Sequence, residues 1–224
     1  MLSEAAAAYE YVGGRDPQDT SADRPGGSAV FWAAKRATDI VVALLGLPFI
    51  ALIALGLTIV NPVWNPGPLL YRQQRMGRNG RVMTVWKFRT MLPHDGSIAR
   101  GPDDPLEEER ITPLGGWLRQ TRIDELPQFL NVLWGEMSLI GPRPDYLDHA
   151  LFYARVVPGY RSRYAVRPGI SGWAQVRLGY AEGVEVTAEK TRVDLLYIRR
   201  AGWWLEMRIL WRTFAVIVTG FGAR

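Results

Sequence analysis

Residues 40–60 read IVVALLGLPFIALIALGLTIV and contain no charged side chain. The length of this run matches the roughly 20 apolar residues that a helix needs to cross about 30 Å of hydrocarbon. Lys35 and Arg36 precede the run, and four arginines follow it at positions 72, 75, 78 and 81. Because basic flanks favour the cytoplasmic side of a membrane, we expect both ends of the segment on the same membrane face.

Pro48 lies inside this apolar run, where a proline removes a backbone hydrogen bond and favours a bend. No second apolar run of this length returns the chain to its starting face. The sequence therefore predicts a re-entrant or kinked in-plane membrane segment over about residues 36–61. A single membrane-spanning helix and a buried core helix of a soluble protein are the alternatives.

The remainder of the chain divides into a tail and one domain. Residues 1–28 hold an alanine run and then a stretch rich in Gly, Asp, Pro and Ser, which predicts a disordered tail. It is not a signal peptide, because no basic residue precedes an apolar core near Met1. Residues 29–224 have the length of a single domain of ordinary size.

Composition restricts the chemistry that this domain can perform. The chain has no cysteine and two histidines, which excludes disulfide scaffolds, thiolate metal sites and cysteine nucleophiles and argues against a His-rich zinc site. Of the 27 basic residues all but three are arginines, the side chain suited to two-pronged phosphate binding. A GC-rich genome would produce the same excess. The basic residues are not gathered in one stripe, which argues against nucleic-acid binding.

The segment after the apolar run has strand character. The runs Leu69–Arg75 and Arg81–Phe88 flank an Asn-Gly pair at positions 79 and 80, which predicts a β-hairpin. Residues 93–110 are polar and acidic and are expected to form a loop.

Helix signals follow this loop. Thr112 and Pro113 have the pattern of an N-cap and a first helical residue, predicting a helix through Arg119. Asp124, with an apolar run to Trp134, predicts the start of another helix. Helical periodicity recurs over residues 145–164 and 187–200, on either side of a turn-rich stretch around residues 168–172. Trp203–Phe221 is expected to be an interfacial amphipathic helix or a core helix with a basic face.

The densest cluster of polar residues surrounds one pair of adjacent acids. Its members are Arg119, Arg122, Asp124 and Glu125, followed by Asn131, Glu136, Ser138 and Arg143. Adjacent acids at a helix start can cap the helix, hold a divalent cation or act as a nucleophile toward a phosphoryl group. The simplest alternative is that Asp124 only caps its helix and that the arginines form a solvated surface.

Long motifs occur in a fixed order around this cluster. They are KR at 35–36 with Asp39, NPGPLLYRQQRMGRNG from Asn65, WKFRTM from Trp86, ITPLGGWLRQTRIDELPQFLNVLWGEMSLIGPRP from Ile111 and RPGISGWAQV from Arg167. Over residues 33–224 this pattern closely resembles the bacterial sugar transferase family, the monotopic phosphoglycosyl transferases. The carboxyl-terminal stretch from Tyr197 resembles the exopolysaccharide-initiating members.

The resemblance implies a role for each of five residues. Asp124 would be the nucleophile and would associate with Mg²⁺, and Glu125 would be its partner in a catalytic dyad. Arg119 and Arg143 would bind phosphate, and Lys87 would lie beside the site. The implied fold is an α+β membrane-associated catalytic domain with an amino-terminal re-entrant helix and amphipathic interfacial helices.

The implied reaction transfers a sugar 1-phosphate from a UDP-sugar to polyprenyl (undecaprenyl) phosphate, releasing UMP through a covalent aspartyl intermediate. It would take place at the cytoplasmic face of the bacterial inner membrane. Direct transfer in a ternary complex, with Asp124 as metal ligand and base, is an alternative route. A non-catalytic membrane adaptor of a polysaccharide assembly complex is an alternative function.

Two departures from the family pattern bear on these expectations. Leu47 precedes Pro48 where the family commonly has a Ser-Pro pair, which affects where the membrane helix would break. The residues after Gln175 read VRLGYAEG and lack the Asn-Gly-Arg of other members, in a region that bears on sugar choice. The motifs specify neither the sugar nor the oligomeric state, although the carboxyl-terminal stretch favours a hexose such as glucose or galactose.

Overall fold

The structure is a computed structural model that describes residues 25–93, 107–179 and 183–219. Four short strands lie among seven α-helices in these residues. The elements are α1 Ala29–Trp64, β1 Leu70–Met76, β2 Val82–Phe88, α2 Pro113–Gln120, α3 Gln128–Trp134, β3 Ser138–Ile140, α4 Leu147–Val156, β4 Gly169–Ser171, α5 Trp173–Leu178, α6 Val184–Arg199 and α7 Trp203–Thr219. This mixture of helices and short strands is compatible with the expected α+β class.

The apolar run lies in the middle of α1, which has 36 residues. The helix begins after Ser28, whose side-chain oxygen accepts a hydrogen bond from the backbone N–H of Phe31 at 3.1 Å. Pro48 and Pro62 both lie inside the helix, so neither proline ends it. The expected re-entrant segment, residues 36–61, is thus part of one long helix, and its topology in a membrane stays a prediction.

One face of α1 is buried against the rest of the protein along most of the helix. The buried residues recur at intervals of four or seven: Phe31, Lys35, Asp39, Ala43, Ile50, Leu57 and Asn61. The most apolar 18-residue window has a mean hydropathy of 2.8, and only 11% of it is buried. By length and composition α1 could cross a membrane, and this large exposed apolar surface argues against the core helix of a soluble protein.

The two ends of α1 are attached to the same folded unit. Near the start, Lys35 Nζ donates a hydrogen bond to Oε2 of Glu206 in α7 at 2.6 Å. Near the end, Asn61 Nδ2 donates to the carbonyl oxygen of Gly67 at 2.8 Å. Asn65, directly after the helix, donates to the carbonyl oxygen of Arg89 at 2.7 Å. These contacts place both helix ends beside the domain that carries the polar cluster.

The predicted hairpin is confirmed. Strands β1 and β2 pair antiparallel, with Leu70 opposite Phe88 and Met76 opposite Val82. Asn79 and Gly80 form the turn with φ angles of 56° and 74°, the left-handed conformation that Asn and Gly tolerate best. The hairpin positions Lys87, the penultimate residue of β2, toward the dyad.

The helix signals after the loop have different outcomes. The predicted cap of α2 is confirmed, because Thr112 Oγ1 accepts a hydrogen bond from the backbone N–H of Gly115 at 3.0 Å. The prediction that the next helix starts at Asp124 is wrong, and Asp124 does not cap that helix either. Asp124 lies inside a 3₁₀ turn, Ile123–Glu125, and α3 begins only after Pro127, without a side-chain cap. The 3₁₀ turn delays α3 and leaves the Asp124 carboxylate available for other contacts.

The remaining segments are close to their predicted positions. The region 145–164 divides into α4 and a 3₁₀ helix, Tyr160–Ala165, and the region 187–200 lies within α6 and the residue that follows it. Of the predicted loop 93–110, residues 94–106 lie outside the described residues, as do residues 1–24 of the predicted tail. The last residues of that tail contact the domain, because the backbone N–H of Gly26 donates to the carbonyl oxygen of Ile198 at 2.9 Å.

The two shortest strands bring distant segments together. Strands β3 and β4 pair in parallel, with Ser138 beside Gly169 and Ile140 beside Ser171. Their backbones approach so closely that a Cβ atom at Gly169 would lie 2.1 Å from the backbone nitrogen of Gly141. Only glycine fits there, and this contact holds the loop that carries Arg143 against β4.

Candidate active site

The two adjacent acids occupy the short 3₁₀ turn between α2 and α3. Arg122, directly before this turn, has a φ angle of 59°, which ends α2 and redirects the chain. The flanking side chains of Ile123 and Leu126 pack into the apolar cluster that contains Ile50 and Leu57 of α1. The residues on either side of the dyad therefore anchor this turn to the long apolar helix.

Two cations from distant parts of the chain bind Glu125. Lys87 Nζ lies 2.9 Å from Oε1 of Glu125 and 3.8 Å from Oδ2 of Asp124. Arg143 donates from Nη1 to Oε2 of Glu125 at 3.2 Å, and its Nη2 donates to Oε1. Glu125 is thus paired with a forked guanidinium on one side and an ammonium on the other.

The pKa values of the two acids shift in opposite directions. Burial alone would raise the pKa of Glu125, but the charges and hydrogen bonds of Arg143 and Lys87 hold it well below the ordinary value. Burial raises the pKa of Asp124, and the negative charge of Glu125 adds to this effect, while Lys87 and Arg143 only partly oppose it. The Glu125 carboxylate is thus stabilised as an anion, and the Asp124 carboxylate is left more basic.

This asymmetry distinguishes what the two carboxylates can do. Both oxygens of Glu125 already accept hydrogen bonds from cations, so attack on an electrophile would require breaking them. Asp124 is only 8% exposed, and its ion pair with Lys87 is long. A buried, basic carboxylate with weak contacts is suited to act as a nucleophile or as a ligand for a cation.

The structure brings Lys87, Asp124, Glu125 and Arg143 together. Of the two arginines expected to bind phosphate, Arg143 contacts the dyad and Arg119 differs from it. Arg119 lies in the last turn of α2 and is not among the main charges that shift the pKa of either carboxyl group. Arg122 is among those that act on Asp124.

A second group of residues holds Arg143 in place, and these residues were not predicted from the sequence. Arg163 donates to the carbonyl oxygen of Arg143 at 3.0 Å and also binds Asp145 Oδ2 at 2.6 Å and Asp194 Oδ2 at 2.8 Å. Tyr160 adds a hydrogen bond to Asp145 at 2.6 Å. Arg163 and Asp194 stand in helical segments without any local motif, so no signal in the sequence marked them.

Other members of the predicted polar cluster hold the elements in place. Asn131, with no exposed surface, donates to the carbonyl oxygen of Thr84 at 2.7 Å and accepts from the backbone N–H of Trp86 at 3.3 Å. It therefore ties α3 to the strand that carries Lys87. Ser138 Oγ donates to Asp39 Oδ2 at 2.7 Å and ties β3 to α1.

The donor set around the dyad suits a magnesium ion. No group of three or more His, Cys, Asp or Glu side chains placed to hold a metal occurs in residues 25–93, 107–179 and 183–219. Mg²⁺ does not require one, because it commonly binds one or two carboxylates together with waters and substrate phosphates. Asp124, whose ion pair with Lys87 is long, retains the lone pairs that such a ligand needs.

Comparison with known proteins identifies the family. A family model described as "Bacterial sugar transferase" matches residues 30–220. The chain belongs to the bacterial sugar transferase family. The match covers all of α1 except its first residue, both strands of the hairpin, the dyad and the whole of α7, so the residues of the site lie within the shared region.

Three curated relatives illustrate the range of family members. The chain is 40% identical over 201 residues to the UDP-N-acetylgalactosamine-undecaprenyl-phosphate N-acetylgalactosaminephosphotransferase of Aeromonas hydrophila, covering 88% of this chain and 46% of the relative. A UDP-glucose:undecaprenyl-phosphate glucose-1-phosphate transferase of Caulobacter vibrioides is 38% identical, with 88% and 75% covered. The exopolysaccharide production protein PSS of Rhizobium leguminosarum is 35% identical, with 80% and 92% covered. The chain thus spans less than half the length of the Aeromonas relative and most of the other two.

Proposed function

We propose that this protein transfers a sugar 1-phosphate from a UDP-sugar to polyprenyl phosphate and releases UMP, the first membrane step of exopolysaccharide or related glycan synthesis. The main support for the proposal is the difference in environment between the two acids. Glu125 is bound by two cations. Asp124 is buried, has a raised pKa and forms only a long ion pair with Lys87. The names of the Aeromonas and Caulobacter relatives support the same donor and acceptor classes.

The proposed reaction has two displacements at one phosphorus atom. An oxygen of the Asp124 carboxylate attacks the β-phosphorus of the UDP-sugar, and the bond from that phosphorus to the bridging oxygen breaks. UMP leaves with the bonding electron pair, and the sugar phosphate remains on Asp124 as an acyl phosphate. A phosphate oxygen of the lipid acceptor then attacks the same phosphorus and releases the free carboxylate.

Positive side chains make this attack of one anion on another feasible. Lys87 and Arg143 are held in place by Glu125 and present their remaining N–H groups beside Asp124, where they reduce repulsion from the diphosphate. Arg122 contributes further positive charge. Mg²⁺ held by Asp124 would neutralise charge on the donor diphosphate when it is bound. Arg163 keeps Arg143 in position through the carbonyl oxygen of Arg143.

The exposed apolar surfaces favour a position at the membrane boundary. Helix α7 exposes one stripe at helical spacing: Trp203, Trp204, Met207, Leu210, Trp211 and Phe214. Such a stripe is typical of a helix lying in the interface of a bilayer. The apolar part of α1 is also exposed, and Ile123 and Leu126, which flank the dyad, pack against its buried face. We place the protein at the cytoplasmic face of the plasma membrane. In this position both ends of α1 remain beside the domain, and the phosphate of the lipid acceptor can reach Asp124.

The order of product release tests the covalent route. Protein incubated with Mg²⁺ and its UDP-sugar, without lipid acceptor, should release about one UMP per active site. The peptide that contains Asp124 should gain the mass of a sugar phosphate. A panel of UDP-glucose, UDP-galactose and their N-acetylated counterparts identifies the donor at the same time.

Two variants serve as controls for this experiment. Asp124→Asn should give neither UMP nor the adduct, whereas Arg81→Gln, an exposed change on the hairpin, should behave as the wild type. Strict dependence of UMP release on polyprenyl phosphate, with the correct donor, would support direct transfer in a ternary complex. Absence of UMP release with every donor, in the presence of acceptor and Mg²⁺, would support the adaptor alternative.

A further inference from the structure

A second basic site lies at the far end of α3 from the dyad. It is a cavity of about 270 Å³ whose lining includes Trp32, Lys35, Arg36, Asp39, Arg78 and Arg167. Arg36 donates hydrogen bonds to the carbonyl oxygens of Val132 and Leu133 at the carboxyl end of α3. The dyad lies just before the amino end of the same helix. The seven residues of α3 separate the two sites by about 10 Å of helix.

Lys35, which lines this cavity, forms ion pairs with two carboxylates: Asp39 at 3.9 Å and Glu206 at 2.6 Å. Asp39 accepts hydrogen bonds from Ser138 Oγ at 2.7 Å and from the backbone N–H of Leu139 at 3.2 Å. Glu206 accepts from Lys35 at 2.6 Å. The lining therefore retains an excess of positive charge from its three arginines.

The arginines of this cavity are held close to one another. Arg36 donates to two carbonyl oxygens at 2.6 and 3.1 Å, and Arg167 Nε donates to the carbonyl oxygen of Gly135 at 2.8 Å. Burial lowers the pKa of Arg167, and the charges of Arg36 and Arg78 lower it further, with Asp39 in partial opposition. Like charges gathered by the fold repel one another, and an anion bound between them would relieve this repulsion.

The position of the cavity indicates the source of such an anion. Asp39 lines the cavity, and the charge-free run of α1 begins at the next residue, Ile40. Trp32 also lines it, and Phe31 packs edge-to-face against Trp203 of the exposed apolar stripe at 5.2 Å. Tryptophan and arginine at the end of an apolar segment are typical of the head-group level of a membrane.

We infer that this cavity is a second phosphate-binding site, separate from the dyad, which takes the phosphate of an anionic phospholipid head group. Arg167 and Arg78 would bind the phosphate, and Arg36, fixed by α3, would add its charge. Because Arg36 and Arg167 also bind the end of α3, an occupied site would stabilise the helix that follows the dyad. The inference does not depend on the proposed transfer reaction.

Binding to the full chain in a neutral detergent tests this inference. Native mass spectrometry would measure the binding of phosphatidylglycerol and of phosphatidylcholine, and thermal shift would measure the binding of inorganic phosphate without lipid. We expect one saturable phosphatidylglycerol site, weakened about tenfold in Arg78→Gln and in Arg167→Gln by the loss of one charge-assisted contact. The control Arg81→Gln, three residues along the same hairpin and outside the cavity, should bind like the wild type.

The outcomes are distinguishable. Saturable phosphatidylglycerol binding without a phosphate shift supports a lipid source, and a phosphate shift that depends on Arg78 supports the same site with a water-soluble phosphate ligand. Arg78→Gln changes an exposed residue, so it tests the site even if Arg167→Gln fails to fold. Equal binding of phosphatidylcholine, or binding that Arg78→Gln and Arg167→Gln leave unchanged, would overturn the inference. Arg143→Lys should leave phosphatidylglycerol binding unaltered. Loss of lipid binding in this variant would mean that the lipid binds at the dyad instead.

Discussion

The ammonium nitrogen of Lys87 lies 3.8 Å from Oδ2 of Asp124, and it is the strongest of the positive charges that lower the pKa of that carboxyl group. Burial outweighs this charge, so the pKa of Asp124 stays above the ordinary value. The proposed nucleophile must be ionised, so this contact is expected to influence the rate of the proposed reaction.

The pH dependence of activity should therefore respond to Lys87. Since the pKa of Asp124 is raised, kcat/KM should fall on the acid side at a pH above the ordinary range of aspartate. Removing the ammonium in Lys87→Met raises that pKa further, so the acid limb should move to higher pH. Lys87→Arg keeps the charge and should leave the limb nearly in place. An acid limb that Lys87→Met does not move would contradict the assignment of Asp124.

Arg143→Lys tests the forked pair with Glu125. Lysine keeps the positive charge but provides a single point of contact, so we expect kcat/KM to fall about tenfold or more. Arg119→Lys is the matched comparison, because Arg119 was expected to bind phosphate but is not among the main charges that shift the pKa of either acid. If kcat/KM fell only in Arg119→Lys in the same steady-state assay, phosphate binding would be assigned to Arg119 rather than to Arg143.

Arg163→Met should weaken both stability and donor binding. The change leaves Asp145 and Asp194 without their cation, and removing one partner of a buried ion pair costs about 3–5 kcal/mol. Thermal unfolding in detergent should show a large fall in Tm, partly reversed in Arg163→Met/Asp194→Asn. At temperatures where the variant is folded, KM for the UDP-sugar should rise more than kcat falls. An unchanged KM would mean that Arg163 does not position Arg143.

A pair of glycines in α1 tests whether the apolar helix lies along the domain. A Cβ atom at Gly46 would lie 2.9 Å from two ring carbons of Phe129 in α3, whereas one at Gly56 would have no neighbour within 4 Å. Leucine at either position adds the same apolar surface. Gly46→Leu should cost about 1–3 kcal/mol of stability through overpacking, and Gly56→Leu should have little effect. Equal Tm values for the two variants would show that α1 leaves the domain before Gly46.

Cysteine labelling tests the membrane topology in a chain without native cysteine. Val30, near the start of α1, is 77% exposed and leaves the Ser28 cap intact, and Arg81 is exposed on the hairpin. If both ends of α1 lie on the cytoplasmic face, Val30→Cys and Arg81→Cys should react with a membrane-impermeant maleimide only in inside-out vesicles. Labelling of Val30→Cys from the periplasmic side of intact cells would establish a spanning helix.

Elements with strong local signals could be predicted from the sequence. The turn at Asn79 and Gly80 and the cap at Thr112 depend on residues a few positions apart, and both were predicted correctly. The uninterrupted apolar run at 40–60 also marked the middle of α1, but the helix extends beyond this run at both ends. By contrast, the prediction that a helix starts at Asp124 was wrong, because the left-handed conformation of Arg122 and the 3₁₀ turn after it have no distinct pattern in the sequence.

The sequence by itself determined the family, the apolar helix and the adjacent pair of acids, since these reside in contiguous motifs. Only the tertiary structure decided how the two acids differ. Glu125 receives Lys87 from 38 positions before it and Arg143 from 18 positions after it, and Asp124 receives neither at close range. Arg163 also joins segments that are distant in the chain. It donates to the carbonyl oxygen of Arg143 and binds Asp194, which lies 31 positions after it. A carboxyl pKa depends on burial and on nearby charges, and in this protein the fold brings both from segments that are distant in the chain.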